Sequence, residues 1–187
     1  MSNREHTSSE RLMEAVAGGD LDAFNEIVLR HEKLAWGIAY RFLGDRHGAE
    51  DVAQEAFLRI LEAAPRYKPV AAFTTYLSRI VTRLCLDQAR KKRPTPTDSL
   101  APVPADTLSG EERMAEMDRD RAIHVALDRL PPNQRMAVVL RYFEGFDCRT
   151  VASVMETTVK AVERLLARSR VSLQVSLADI LDEKSAD

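Results

Sequence analysis

Apolar positions recur along this chain at helical intervals, in blocks divided by polar, glycine-bearing or proline-bearing breaks. Leu21, Phe24, Ile27, Val28, Leu34, Ile38 and Phe42 fall on the three- and four-residue steps of one helix face. Asp20 is suited to cap that helix and Gly44 to stop it. Val52, Ala53, Ala56, Phe57, Ile60 and Leu61 mark a second amphipathic helix, which ends at Pro65. A third runs through Phe73, Tyr76, Leu77, Ile80, Val81 and Leu84 into a basic cluster ahead of Pro94. Three such helices with short connections predict a bundle.

Residues 94–110, PTPTDSLAPVPADTLSG, concentrate proline, threonine and serine without a helical period and predict a flexible linker between two domains. Beyond it, Glu111 to Leu130 reads as a helix. Pro131 and Pro132 suit the first turn of the next, which runs to Phe143 and closes at Gly145. Asp147 is placed to cap a short helix through Val151, Ala152 and Met155, and Thr158 a longer one through Val162, Leu165, Leu166 and Val171. Two helices joined by so short a turn, with small Ala152 at their approach, fit a helix-turn-helix. An ordinary antiparallel helix pair shares the pattern, and Glu156 stands where a turn glycine would separate the two readings. The expected fold class is all-α: an N-terminal helical bundle and a C-terminal helix-turn-helix domain on a flexible linker.

Composition agrees with helices, since the 187 residues include 45% hydrophobic and 30% charged residues but only 7 glycines. Charges interrupt the first apolar residues from Met1 to Ala17, and no run approaches a membrane span, so a cytoplasmic protein without membrane insertion is expected. Cys85 and Cys148 lie far apart in helical patterns, which predicts neither a disulfide nor a metal site. His31-Glu32 opens like a zinc-protease helix, but Ala35 stands where the second histidine ligand belongs. With no phosphate loop or nucleophile elbow, neither catalysis nor a cofactor is expected. The net charge of -2 hides a strongly basic segment: from Arg66 to Arg93, eight basic residues face the single acid Asp87.

EDVAQEAFLRIL (Glu50 to Leu61), FTTYLSRIVTRLCLDQARKKR (Phe73 to Arg93) and LDRLPPNQRMAVVLRYFEGFDCRTVASVM (Leu127 to Met155) resemble the extracytoplasmic-function sigma factors in order and spacing, as does GDLDAFNEIVLRH (Gly19 to His31). The resemblance implies two DNA-binding domains that also grip core RNA polymerase. Residues 1–93 would recognise and melt the minus-ten promoter element, and residues 111–187 would read the minus-thirty-five element. Its expected partners are core polymerase, promoter DNA as duplex and as non-template single strand, and an anti-sigma factor.

Asp51, Gln54, Glu55 and Leu58 share one stripe, which by resemblance meets the polymerase. A charged stripe of this kind is otherwise a solvated face. On the third helix Thr75, Arg79, Thr82, Arg83 and Arg90, with Lys91 beyond, are expected on the face turned from the core, where cations and hydroxyls suit phosphates. Cations at a helix C-terminus also have a dipole reason to be there. Extruding a base costs on the order of a few kcal/mol and needs a receiving site. Tyr67 is suited to stack on such a base, with Arg66 or Lys68 on the backbone. Tyr76 and Arg83 depart from the family's usual tryptophan and asparagine, and the arginine supplies a charge in place of an amide suited to a base edge. In the helix-turn-helix, Val159, Lys160, Glu163, Arg164 and Arg168 are expected exposed beside the capping Thr158. Arg164 is suited to a guanine edge, Lys160 and Arg168 to phosphates, and Arg149 to the backbone. Glu163 and Leu165 depart from the commoner lysine and arginine. A regulator that binds duplex DNA without polymerase is the competing reading, and it leaves the Asp51 to Leu58 stripe without a purpose.

Overall fold

Side-chain caps set several helix starts in the computed structural model, which describes residues 7–91 and 122–184. Asp20 accepts from the Ala23 amide at 3.0 Å and opens α2 (Leu21–Leu43). Gly44, at φ 68°, takes the left-handed residue that ends it, a conformation that suits glycine. Asp45 accepts from the Gly48 amide at 2.9 Å and opens α3 (Arg46–Ala63), which passes into a 3-10 turn at Ala64–Arg66 around Pro65. α4 spans Phe73–Lys91.

The sequence pattern did not predict α1 (Ser9–Ala17), which buries Leu12, Met13 and Val16. Its nine residues hold Glu10, Arg11 and Glu14 among those three, so charge outweighs period on inspection. Helix α2 runs through the middle of this half and packs against α1, α3 and α4. Ile27, Ile38 and Phe42 are inaccessible along it, as are Ile60 on α3 and Leu77, Val81 and Cys85 on α4. Burying each large side chain contributes roughly 1.5–3 kcal/mol, so these positions fix the bundle.

In the second half, residues 122–128 form α5. The expected linker at 94–110 and the start of the helix expected from Glu111 lie outside the described residues. Pro132 begins α6 (Pro132–Val138), where its missing N–H costs no hydrogen bond. The chain continues in a wider π-helical turn, Val139–Phe143, that ends at Gly145, φ 72°. Helices α7 (Cys148–Val154) and α8 (Val159–Lys184) complete it. Asp147 accepts from Thr150 at 2.7 Å and Thr158 from Ala161 at 3.2 Å, so both expected caps form. The turn between them puts Glu156 at φ 51°, the left-handed conformation a glycine would take more readily. Val171, expected in the core, is 63% exposed, whereas Leu173 packs against the core.

The two halves pack together. Thr82 on α4 donates to the Met136 sulfur at 3.5 Å, and Arg79 donates to Ser153 on α7 at 3.2 Å. At the end of α2, Arg135 donates to the Phe42 carbonyl at 2.8 Å and its guanidinium lies 5.4 Å from the Phe42 ring centre. Tyr40 meets His124 edge-on at 4.8 Å. Arg41 pairs with Glu144 at 3.0 Å and lies over the Phe143 ring at 5.2 Å. A Cβ on Gly37 would stand 2.7 Å from Arg41 Nη1, so the absent side chain leaves the guanidinium its place. Burial pushes the Glu144 carboxyl above the usual range against the pull of Arg41.

Solvent reaches Arg41, so the Arg41 and Glu144 pair contributes no more than about 1 kcal/mol. Glu144→Arg turns that attraction into repulsion. The expected outcome is a larger radius of gyration by small-angle scattering at unchanged helix content. The double variant Arg41→Glu, Glu144→Arg returns it toward the starting value, and an unchanged radius in the single variant would show that the pair does not hold the halves.

Candidate nucleic-acid and protein interfaces

Three faces carry the expected functional residues. On α3, Asp51, Gln54 and Leu58 are exposed, with Leu58 at 49%, and Glu55 is half-exposed and tied to Arg59 at 2.7 Å. Behind this stripe lies a feature the sequence reading did not include. A cavity of about 570 Å³ opens between α2 and α3, lined by Phe24, Val28 and Trp36 with Ala53, Phe57 and Leu58, and rimmed by Glu32, Lys33, Glu50 and Gln54. Its apolar floor inside a polar rim is the composition of a protein-binding surface. Phe24 and Val28, expected on the core face, are only half-buried, as is Trp36, whose place eight residues beyond Val28 on the same side of α2 was the available signal.

Helix α4 differs from expectation on one side. Thr75 and Thr82 were expected to face DNA, yet they are 9% and 2% exposed. Small hydroxylated residues pass as surface residues in a helical pattern, but they also permit close helix packing. Here Thr82 faces Met136 of the second half. Arg79 is half-exposed, whereas Arg83, Arg90 and Lys91 are exposed. Arg79, Arg83 and Arg90 line a cleft of about 300 Å³ against α7, with Asp87 and Glu156 in the same cleft. Arg90 lies 3.4 Å from Asp87 and Arg79 Nε 4.0 Å from Glu156, so part of the positive charge is already countered. Burial pushes the Cys85 thiol up to about 12, which leaves it protonated and unreactive.

The connection from the 3-10 turn to α4 exposes Arg66, Lys68 and Val70. Tyr67 was expected to be available for stacking, but its ring is already packed, 5.1 Å from the Tyr76 centroid and 6.5 Å edge-on to Phe73. Desolvation pushes the Tyr67 phenol up. A base reaching this segment therefore meets the edge of an existing aromatic cluster.

In the second half, Arg149, Thr158, Val159, Lys160, Glu163, Arg164 and Arg168 are all exposed, while Val162 and Leu166 are buried beneath them and Leu165 is half-buried. The first turns of α8 thus carry a stripe with three cations and one acid. Among the described residues no cluster of three or more acidic, histidine or cysteine side chains is placed to hold a metal. Nor is any described helix long and apolar enough to cross a membrane.

Comparison with known proteins divides the chain in the same order. Residues 27–95 match the family model for Sigma-70 region 2, and residues 120–173 match that for Sigma-70, region 4. The chain is 31% identical to the RNA polymerase sigma-H factor of Pseudomonas aeruginosa, over 93% of its own length and 96% of that protein's. It is also 31% identical to the ECF RNA polymerase sigma factor SigM of Mycobacterium tuberculosis, over 91% and 85%. Among solved structures it is similar to CnrH in complex with the cytosolic domain of CnrY, with a TM-score of 0.69, 25% identity, and coverage of 90% and 96%.

Proposed function

This chain belongs to the extracytoplasmic-function sigma factors of the sigma-70 family, and from that premise we propose how its faces divide the work of starting transcription. As an RNA polymerase sigma factor it directs core polymerase to promoters and promotes their melting. One observation carries the reading: region 2 and region 4 stand in order on one chain. A duplex-binding regulator that works without polymerase has no use for region 2, so that alternative is not favoured. The assignment involves no chemistry of the chain's own, and the protein works beside polymerase in the cytoplasm.

The division is residues 1–93 for polymerase docking and minus-ten recognition, 94–110 as linker, and 111–187 for the minus-thirty-five element. Asp51, Gln54, Glu55 and Leu58 form the polymerase-docking stripe, and the apolar cavity beside Leu58 extends it. Arg66, Tyr67, Lys68, Arg79, Arg83, Arg90 and Lys91 handle the minus-ten strand, with Thr75 supporting from beneath and Thr82 joining them once the halves part. Arg164 reads a base edge, while Arg149, Lys160 and Arg168 hold phosphates around Thr158, Val159 and Glu163.

The packed arrangement of the halves covers Thr82 and engages Arg79. Full use of α4 on DNA therefore requires the halves to part. An anti-sigma factor that seats on the packed form would hold the protein inactive; CnrH was solved with a bound protein, the cytosolic domain of CnrY, which supports such a partner.

Two measurements test the assignment. In a core-polymerase titration, Asp51→Ala and Gln54→Ala are expected to weaken binding at unchanged thermal stability, and unaltered affinity of both would remove the docking stripe. In transcription from a randomised promoter library, Arg164→Ala is expected to relax preference at one base pair by about 1–3 kcal/mol. Lys160→Ala should lower output on all sequences alike and reduce the salt slope by about one. Equal sequence profiles for wild type and Arg164→Ala would overturn the base contact.

A further inference from the structure

Helix α1 lies outside the residues matched to region 2, and no role has yet been attached to it. It packs on the 3-10 turn Ala64–Arg66, at the front of the segment that leads to α4. At the back of that segment, a Glu10 carboxylate oxygen accepts from the Phe73 amide at 2.9 Å. That amide is the first of α4, so the carboxylate also sits at the positive end of a helix dipole. Ser9 bonds His31 at 2.7 Å, and the His31 ring lies 4.8 Å from that of Phe73. One short helix thereby touches both ends of the connection that runs from Arg66 to Ala72.

We propose that α1 positions the segment Arg66 to Ala72 for DNA melting, with Glu10 as the positioning residue that ties its far end. The proposal rests on reading that segment as the one that receives an unstacked base. The Tyr67 side chain is held by ring contacts, its Oη being buried with no hydrogen-bond partner among the described residues. Its amide donates to the Ala64 carbonyl at 3.1 Å, and the Val70 amide to the Lys68 carbonyl at 2.8 Å. Lys68 and Val70 are exposed, and Val70 reaches 90%. Bonds that span only two or three residues leave the path of the segment dependent on how its two ends are fixed. Fixing them in advance lowers the ordering cost when a base arrives. The acid also keeps its charge in this setting, because the Phe73 amide bond holds the Glu10 carboxyl below the usual carboxylate range.

The test uses holoenzyme assembled from the full chain and core polymerase, on a promoter selected by the wild-type protein. Open-complex formation is followed by permanganate reactivity on the duplex promoter and on the same promoter with a pre-opened mismatch bubble. Glu10→Ala is expected to lower opening of the duplex by about tenfold, the order expected for one lost charge-assisted hydrogen bond. The bubble should restore it, and core affinity should be unchanged. Glu10→Gln retains an acceptor oxygen and is expected to recover most of the loss. Hydrogen exchange gives a second measurement, with amides 67–73 expected to exchange faster in Glu10→Ala while the rest of α4 does not.

An equal loss on duplex and bubble, or unchanged exchange at 67–73, would overturn the proposal, since Glu10 would then act through folding or docking. Lys68→Ala and Tyr67→Ala serve as controls on the underlying reading. If they impair opening and Glu10→Ala does not, the positioning role fails and the segment's role stands. If none of the three impairs opening, the segment's role fails and the positioning role with it.

Discussion

Arg135 donates to the carbonyl of Phe42, one of the last four in α2 that no later residue of that helix can satisfy. The interaction joins the longest helix of the first half to α6 of the second. Helix α2 is buried through Ala23, Ile27, Ala35, Ile38, Ala39 and Phe42, an arc that α1, α3 and α4 cover for most of its length. Its final turn is where the second half contributes. There Tyr40, Arg41 and Phe42 each meet a residue from beyond position 120. The buried residues of both halves form one continuous cluster as a result.

The same packing sets a choice for α4. Its core face holds Phe73, Leu77, Val81 and Cys85, and Thr75, Ser78 and Thr82 are buried as well. Even so, three of its four cations, Arg83, Arg90 and Lys91, are presented to solvent, and Arg79 is half-exposed. Arg79 is shared between the two uses, bonded to Ser153 while lining an open cleft. DNA contact along the whole basic face and packing of α7 against it compete for the same surface. The basic segment is thus both a candidate binding face and part of the seam between the halves.

Periodicity made α2, α3 and α4 legible because each buries a continuous stripe, and Asp20, Asp147 and Thr158 marked starts because their side chains satisfy free amides. Relations between distant residues were not legible. Nothing local in Thr82 signals Met136, and nothing in Arg41 signals Glu144, more than a hundred positions away. Glu156 shows the limit of turn chemistry, since glycine is favoured at φ 51° and this chain uses glutamate near Arg79. The exposed stripe on α8 was readable because caps and buried Val162 and Leu166 fix its phase. The cavity between α2 and α3 was missed because half-buried aromatic residues look like core in a one-dimensional pattern.

How the halves come apart follows from which faces the packed form already presents. Beside the apolar cluster the halves share, the polar contacts that hold it are individually small: an ion pair of about 1 kcal/mol or less, and cation–π contacts of roughly 0.5–1 kcal/mol where water reaches them. A partner of nanomolar affinity, about 12 kcal/mol, commands far more free energy. Total affinity is nevertheless the wrong quantity, because a ligand that binds both arrangements equally shifts neither. Asp51, Gln54 and Leu58 are exposed while the halves are packed, and so are Lys160, Arg164 and Arg168. Binding at either face by itself gives no drive toward separation. The drive has to come from a partner that holds both faces at a spacing only the parted form offers, or from contacts the packed form covers. Among the candidate DNA residues Thr82 packs against Met136, while Arg79 is only partly engaged by Ser153.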